Sequence, residues 1–112
     1  MKIILVDDDR FALEAISHML HWERFDGELA GCATNGTEAI ALLNTQHPDV
    51  VISDIRMPDM DGLDLAQYLY EHCPDTRMIL ISGHGEFEYA QRALQYQVTD
   101  YILKPITRAK LN

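Results

Sequence analysis

Apolar runs without polar interruption alternate along this chain with stretches whose apolar residues recur every three or four positions. That alternation predicts βα units and a parallel sheet. Ile3 to Val6 is the first run, and its lack of polar residues is expected of a strand covered on both faces. Phe11, Ala12, Ala15, Ile16, Met19 and Leu20 then mark one apolar stripe on a helix that ends near His21-Trp22. A weaker strand follows over Glu28 to Ala33. In Asn35-Gly36-Thr37-Glu38 a cap residue precedes a Glu by three positions, which starts a helix burying Ala39, Ile40, Leu42 and Leu43.

Val50-Val51-Ile52 centres a third strand over Asp49 to Ser53, and Met57 to Gly62 reads as a loop. Asp61 is placed to cap the helix carrying Leu63, Ala66, Leu69 and Tyr70. Met78 to Ile81 forms a fourth strand that runs into Ser82-Gly83-His84-Gly85, before a fourth helix with Phe87, Ala90, Ala93 and Leu94. Tyr101 to Leu103 makes a fifth strand stopped by Pro105, and Thr107 caps a fifth helix cut short at Asn112. Right-handed βα units of this length predict an α/β fold with an open, doubly wound sheet, whose ligands bind outside the carboxyl ends of the strands. At that rim stand Asp7-Asp8-Asp9, Asp54, Ser82-Gly83 and Lys104-Pro105.

A length of 112 residues makes a single domain, 1–112, able to bury roughly two thirds of its unfolded surface. Eighteen acidic residues against nine Lys and Arg give a charge of −9, which argues against direct contact with duplex DNA. Ile3 to Val6 falls far short of a membrane span of about 20 residues, so the sequence reads as cytoplasmic with no membrane partner. Cys32 and Cys73 lack CxxC spacing and read as reduced packing residues. His18 and His21 read as a solvated helix end in preference to a zinc pair.

Carboxylates converging on one rim oppose each other's ionisation, and a divalent cation resolves the conflict. All-oxygen ligands select a hard ion, Mg²⁺ or Mn²⁺ over Zn²⁺. One carboxylate can then attack, while the Lys104 ammonium and the Ser82 hydroxyl receive negative oxygens. These are the parts needed for phosphoryl transfer onto an aspartate.

Asp7-Asp8, Asp54 within Asp54-Ile55-Arg56-Met57-Pro58-Asp59-Met60-Asp61-Gly62, Ser82-Gly83, and Tyr101 followed by Lys104-Pro105 together resemble a two-component response-regulator receiver domain. The resemblance covers nearly the whole chain. Trp22-Glu23, Ser82-Gly83, Phe87-Glu88-Tyr89-Ala90 and Asp100-Tyr101 resemble the receivers of AraC-type transcriptional regulators. It implies a flavodoxin-like five-stranded sheet of order 2-1-3-4-5, the order for which the chemotaxis receiver is a standard example. It also implies Asp54 as phosphoacceptor, and Mg²⁺ held by Asp8 directly, by Asp7 mainly through water, by Asp54 and by the Arg56 backbone carbonyl. Ser82 would hydrogen-bond the phosphoryl group, Lys104 would pair with it, and Tyr101 would switch rotamer with Ser82. Asp9 would be an acidic neighbour not touching the ion, and Arg56 and His84 would flank the phosphoryl group.

The implied partners are a sensor histidine kinase, and DNA only through an output domain absent from this chain. A homodimer through the fourth helix, fifth strand and fifth helix is also implied, though the short fifth helix removes much of that surface. A cis Lys104-Pro105 bond would aim the ammonium into the rim. The chain is then a signalling switch that catalyses only its own phosphorylation and dephosphorylation. A Mg²⁺-dependent phosphohydrolase would need a second acid beside the nucleophile, where Arg56 stands. A flavin or nucleotide binder would need a Gly- or Ser/Thr-rich loop after the first strand, where Asp7-Asp8-Asp9-Arg10 repels phosphate. A receiver-like domain working unphosphorylated would have no use for intact Asp54, Ser82 and Lys104.

Overall fold

The computed structural model describes residues 1–20, 22–55, 57, 59–82, 91 and 100–103. In chain order the elements are β1 (Lys2–Val6), α1 (Arg10–Met19), a 3-10 turn (Trp22–Phe25), β2 (Glu28–Ala33), α2 (Gly36–Gln46), β3 (Val50–Asp54), α3 (Gly62–His72), β4 (Arg77–Ser82) and β5 (Asp100–Leu103). The strands form one parallel, flavodoxin-like sheet of order β2-β1-β3-β4-β5. Strands β1 and β3 lie inside it, which is why their sequences are unbroken apolar runs. At the edge, β2 breaks register against β1 between Ile3 and Ile4, a bulge that blunts an exposed strand.

Alternation along the strands builds two cores. Ile3, Leu5, Val50, Ile52 and Ile81 pack with Leu13, Ile16 and Leu20 on the α1 side. Ile4, Val6, Val51, Met78 and Leu80 pack with Ala39 and Leu43 of α2 and with Leu63, Leu65, Ala66 and Leu69 of α3 on the other. Each fully buried Ile or Leu contributes about 1.5–3 kcal/mol relative to an exposed one.

The expected helical stripes are displaced in two places. Phe11 is 83% exposed, and Leu13, Ile16 and Leu20 form the buried face of α1. Positions 11 and 13 lie about 200° apart around a helix, so they cannot both meet the sheet, and the core takes Leu13. In α3 the same geometry buries Leu65 and leaves Tyr70 exposed. The fourth helix expected around Phe87 to Leu94, the short fifth helix after Thr107, and His21 lie outside the described residues.

Candidate functional site

Strand parity explains how the acidic rim comes together. Ile3 and Leu5 in β1, and Val50 and Ile52 in β3, face α1, so two positions on in each run Asp7 and Asp54 continue the same face. Val6 pairs with Ser53, which brings Asp7 and Asp54 to neighbouring strand ends at one level. Both are withdrawn from solvent, Asp7 at 2% and Asp54 at 5% exposure, while Asp8 is exposed. One carboxylate oxygen from each of Asp7, Asp8 and Asp54 lies within 4.8 Å of the others.

Backbone groups orient two of the three. Asp7 Oδ1 accepts the Asp9 N–H at 2.9 Å, and Asp54 Oδ1 accepts the Ile55 N–H at 2.8 Å. Ser53 Oγ donates to the Asp54 carbonyl at 2.9 Å. That same carbonyl is approached so closely by Gly62 that a Cβ there would stand 2.9 Å from it, from Ile55 Cα and from Leu80 Cδ2. Only glycine lets α3 begin this near the strand end.

Two unit charges about 5 Å apart repel by roughly 3 kcal/mol at an effective dielectric near 20, so ionised carboxylates at this spacing oppose one another. An all-oxygen donor set of this span suits a hard divalent cation, which would offset that repulsion.

Asp9 stands apart from the trio. Its side chain caps α1, Oδ1 accepting the Phe11 N–H at 2.9 Å. Ser82 is the last residue of β4, one position beyond Ile81, which pairs with Asp54. Tyr101 lies on β5, paired with Leu80 two residues before Ser82. Arg56, His84, Lys104 and the Lys104–Pro105 bond lie outside the described residues.

Reading the sequence missed three members of the site's support. Asp59 and Thr37 join the β3–α3 loop to the start of α2, and Gly62 makes room for the Asp54 carbonyl. The Gly after Asp61 was a visible signal for a tight helix entry. No local signal marked Asp59, whose partners Gly36 and Thr37 are 23 and 22 residues away.

The pattern of the response regulator receiver domain family matches residues 3–112. The chain is 40% identical over 110 residues to the transcriptional regulatory protein YesN of Bacillus subtilis (strain 168), a match covering 98% of this chain and 30% of that protein. It thus spans less than a third of that relative's length. The receiver (REC) domain of AraT, a response regulator from Geobacillus stearothermophilus, superposes with a TM-score of 0.92 at 40% identity, over 98% of this chain and 85% of that one. A two-component transcriptional regulator AraC from Clostridium phytofermentans gives 0.91 at 28% identity, over 99% and 86%. A chain of the CheX–CheY–BeF3–Mg²⁺ complex from Borrelia burgdorferi gives 0.88 at 28% identity, over 99% and 83%.

Proposed function

The chain belongs to the response-regulator receiver family of two-component signalling, whose members here include transcriptional regulators, and from that premise we propose that residues 1–112 act as one phosphoacceptor unit. In this reading a sensor histidine kinase donates a phosphoryl group to Asp54 with Mg²⁺ bound, and the change controls a DNA-binding output domain. The family is one of signalling switches and not of conventional enzymes.

The observation that carries the reading is the trio of Asp7, Asp8 and Asp54, two of them buried, at the carboxyl ends of the adjacent inner strands β1 and β3. The trio would hold the cation, with the Arg56 carbonyl completing the protein's share. Mg²⁺ when bound supplies charge neutralisation and in-line positioning for the transferred group. An Asp54 carboxylate oxygen attacks phosphorus, a carboxyl–phosphate bond forms, and the bond from phosphorus to the donor's imidazole nitrogen breaks. The imidazole leaves with that electron pair and is protonated from solvent. The Ile55 N–H on Asp54 Oδ1 fixes the nucleophile's plane during this step.

Ser82 and Lys104 then take the new phosphoryl oxygens, and Tyr101 follows Ser82. The phosphate brings about −1.5 to −2 charge, and it shifts the switch only by its differential interaction with the two states. A homodimer through the fourth helix, β5 and the fifth helix, and a cytoplasmic setting, belong to the same proposal. Among the described residues no helix is long and apolar enough to cross a membrane.

The test is intact mass after incubation with a small phosphodonor and Mg²⁺. One added phosphoryl group, suppressed by a chelator, is the expected result. Absence of any adduct overturns the function, and labelling indifferent to the chelator overturns the role of the cation.

A further inference from the structure

The loop between β3 and α3 is held by a carboxylate that is no part of the acidic rim. Asp59 aims both oxygens at the first turn of α2: Oδ1 accepts the Gly36 N–H at 2.8 Å, while Oδ2 accepts the Thr37 N–H at 2.9 Å and the Thr37 hydroxyl at 2.6 Å. The helix's own N-cap, Asn35, takes only the Glu38 N–H, at 2.8 Å. The first two N–H groups of α2, which no intrahelical carbonyl can reach, are therefore satisfied from a different part of the chain. These hydrogen bonds, the Thr37 hydroxyl foremost, hold the Asp59 carboxyl well below the usual carboxylate range, so a full negative charge faces the positive end of the helix.

The next residue closes the contact. Met60 lies over Gly36 so tightly that a Cβ on Gly36 would stand 2.0 Å from Met60 Cγ. At its far end the loop enters α3 through a capping box between Asp61 and Asp64. At its near end Ile55 is buried, and its N–H donates to Asp54 Oδ1 at 2.8 Å and to the Ile81 carbonyl at 3.2 Å. The Ile55 carbonyl accepts the Gly62 N–H. The Ile55 peptide group thus joins the base of the loop to the Asp54 carboxylate.

We infer that Asp59 is a positioning residue: by clamping the β3–α3 loop to the first turn of α2, it holds Asp54 in the geometry in which the acidic rim accepts a divalent cation. The inference rests on the Mg²⁺-dependent reading above. Its thermodynamic form is simple. A ligand's apparent affinity scales with the fraction of molecules already in the competent geometry, so freeing the loop weakens metal binding by the factor through which that fraction falls.

Two variants separate positioning from helix capping. Asp59→Ala and Asn35→Ala each remove an acceptor from the same helix start, yet only the first releases the loop. Calorimetric Mg²⁺ titration and amide exchange of the Ile55 N–H in metal-free protein are measured for both, and for Asp59→Asn. Asp59→Ala is expected to weaken Mg²⁺ binding by roughly three- to tenfold, the loss that follows if a third to a tenth of molecules stay competent, and to speed Ile55 exchange. Asn35→Ala should leave both readouts at the wild-type level, and Asp59→Asn should recover part of each loss.

Wild-type affinity and exchange in Asp59→Ala, or equal losses in Asn35→Ala, would overturn the inference and leave the clamp a cap alone. Wild-type protein that binds no Mg²⁺ would overturn the underlying reading instead, an outcome distinct from a wild type that binds and an Asp59→Ala variant that binds equally well.

Discussion

At the amino-terminal ends of the strands, Asp49 accepts the Lys2 N–H on Oδ2 at 2.7 Å, while its own N–H donates to the Lys2 carbonyl at 2.8 Å and its carbonyl accepts the Arg77 N–H at 2.9 Å. One exposed aspartate thereby ties together the starts of β1, β3 and β4. At the opposite ends Asp7 and Asp54 are buried, and with Asp8 they point at one another. The two rims use the same residue type at the same kind of place. They differ in what the carboxylate faces: backbone donors at one end, backbone donors together with other carboxylates at the other. A carboxylate spent on backbone N–H groups stabilises the fold, whereas carboxylates gathered together store repulsion that an incoming cation relieves. The proposed function sits at the rim where carboxylates crowd.

The largest effect expected within the acidic rim separates neighbours in sequence. Asp8→Ala should weaken Mg²⁺ binding by at least about tenfold, as loss of a metal-contacting carboxylate implies. Asp9→Ala should leave it nearly unchanged and instead cost about 1 kcal/mol of stability through the lost cap on α1. Calorimetric titration with parallel urea melts reads both quantities, and equal losses of metal affinity would break the assignment.

Support from behind the rim comes next. Gly62→Ala places a methyl group against the Asp54 carbonyl, Ile55 Cα and Leu80 Cδ2. A clash with backbone on one side and a buried Leu on the other should cost about 1–3 kcal/mol and lower phosphoryl labelling at a fixed dose of donor. An Ala variant with wild-type midpoint and wild-type labelling would show that the close approach carries no weight.

The two rims can be set against each other with isosteric changes. Asp7→Asn should shrink the stabilisation that added Mg²⁺ gives, because it removes one of the crowded charges while keeping an oxygen for the Asp9 N–H. Asp49→Asn should lower stability by about 0.5–1 kcal/mol whether or not Mg²⁺ is present, since it weakens a charge-assisted bond to the Lys2 N–H. Thermal melts with Mg²⁺ and with chelator give all four numbers. A full wild-type response to Mg²⁺ in Asp7→Asn would contradict the role given to the crowded carboxylates.

Acid titration of the clamp gives the smallest signal. The hydrogen bonds from Thr37 and Gly36 depress the folded-state pKa of Asp59, so its contribution to stability is present above the ordinary carboxylate value of about 4 and is lost as pH falls below it. The stability difference between wild type and Asp59→Asn should therefore be flat from neutral pH down to about 4 and narrow below that. A difference that grew on acidification would have the wrong sign.

Much of this molecule was legible from the pattern of residues alone, for reasons that the packing makes plain. Ile3 to Val6, Val50 to Ile52 and, apart from the half-buried Ile79, Met78 to Ile81 are buried on inner strands, so burial left them no polar position and the runs stood out. Those same runs led the eye to Asp7, Asp8 and Asp54 at their ends. Helical stripes were harder, because an amphipathic helix with apolar residues on more than one side leaves its rotation to be set by the sheet. Phe11 lost to Leu13, and Tyr70 to Leu65, on that account. The clamp was invisible because Pro58-Asp59 has the local chemistry of a turn, and its partners on α2 become neighbours only after β1 and β3 have paired.

The central claim is that the crowded rim exists to receive a phosphoryl group on Asp54, and intact mass measured with wild type and Asp54→Asn side by side tests it most directly. With Mg²⁺ and a small phosphodonor, wild type should gain one phosphoryl group while the Asn variant, folded to the same melting profile or better, gains none. Equal labelling of the two proteins would place the acceptor elsewhere and contradict the account.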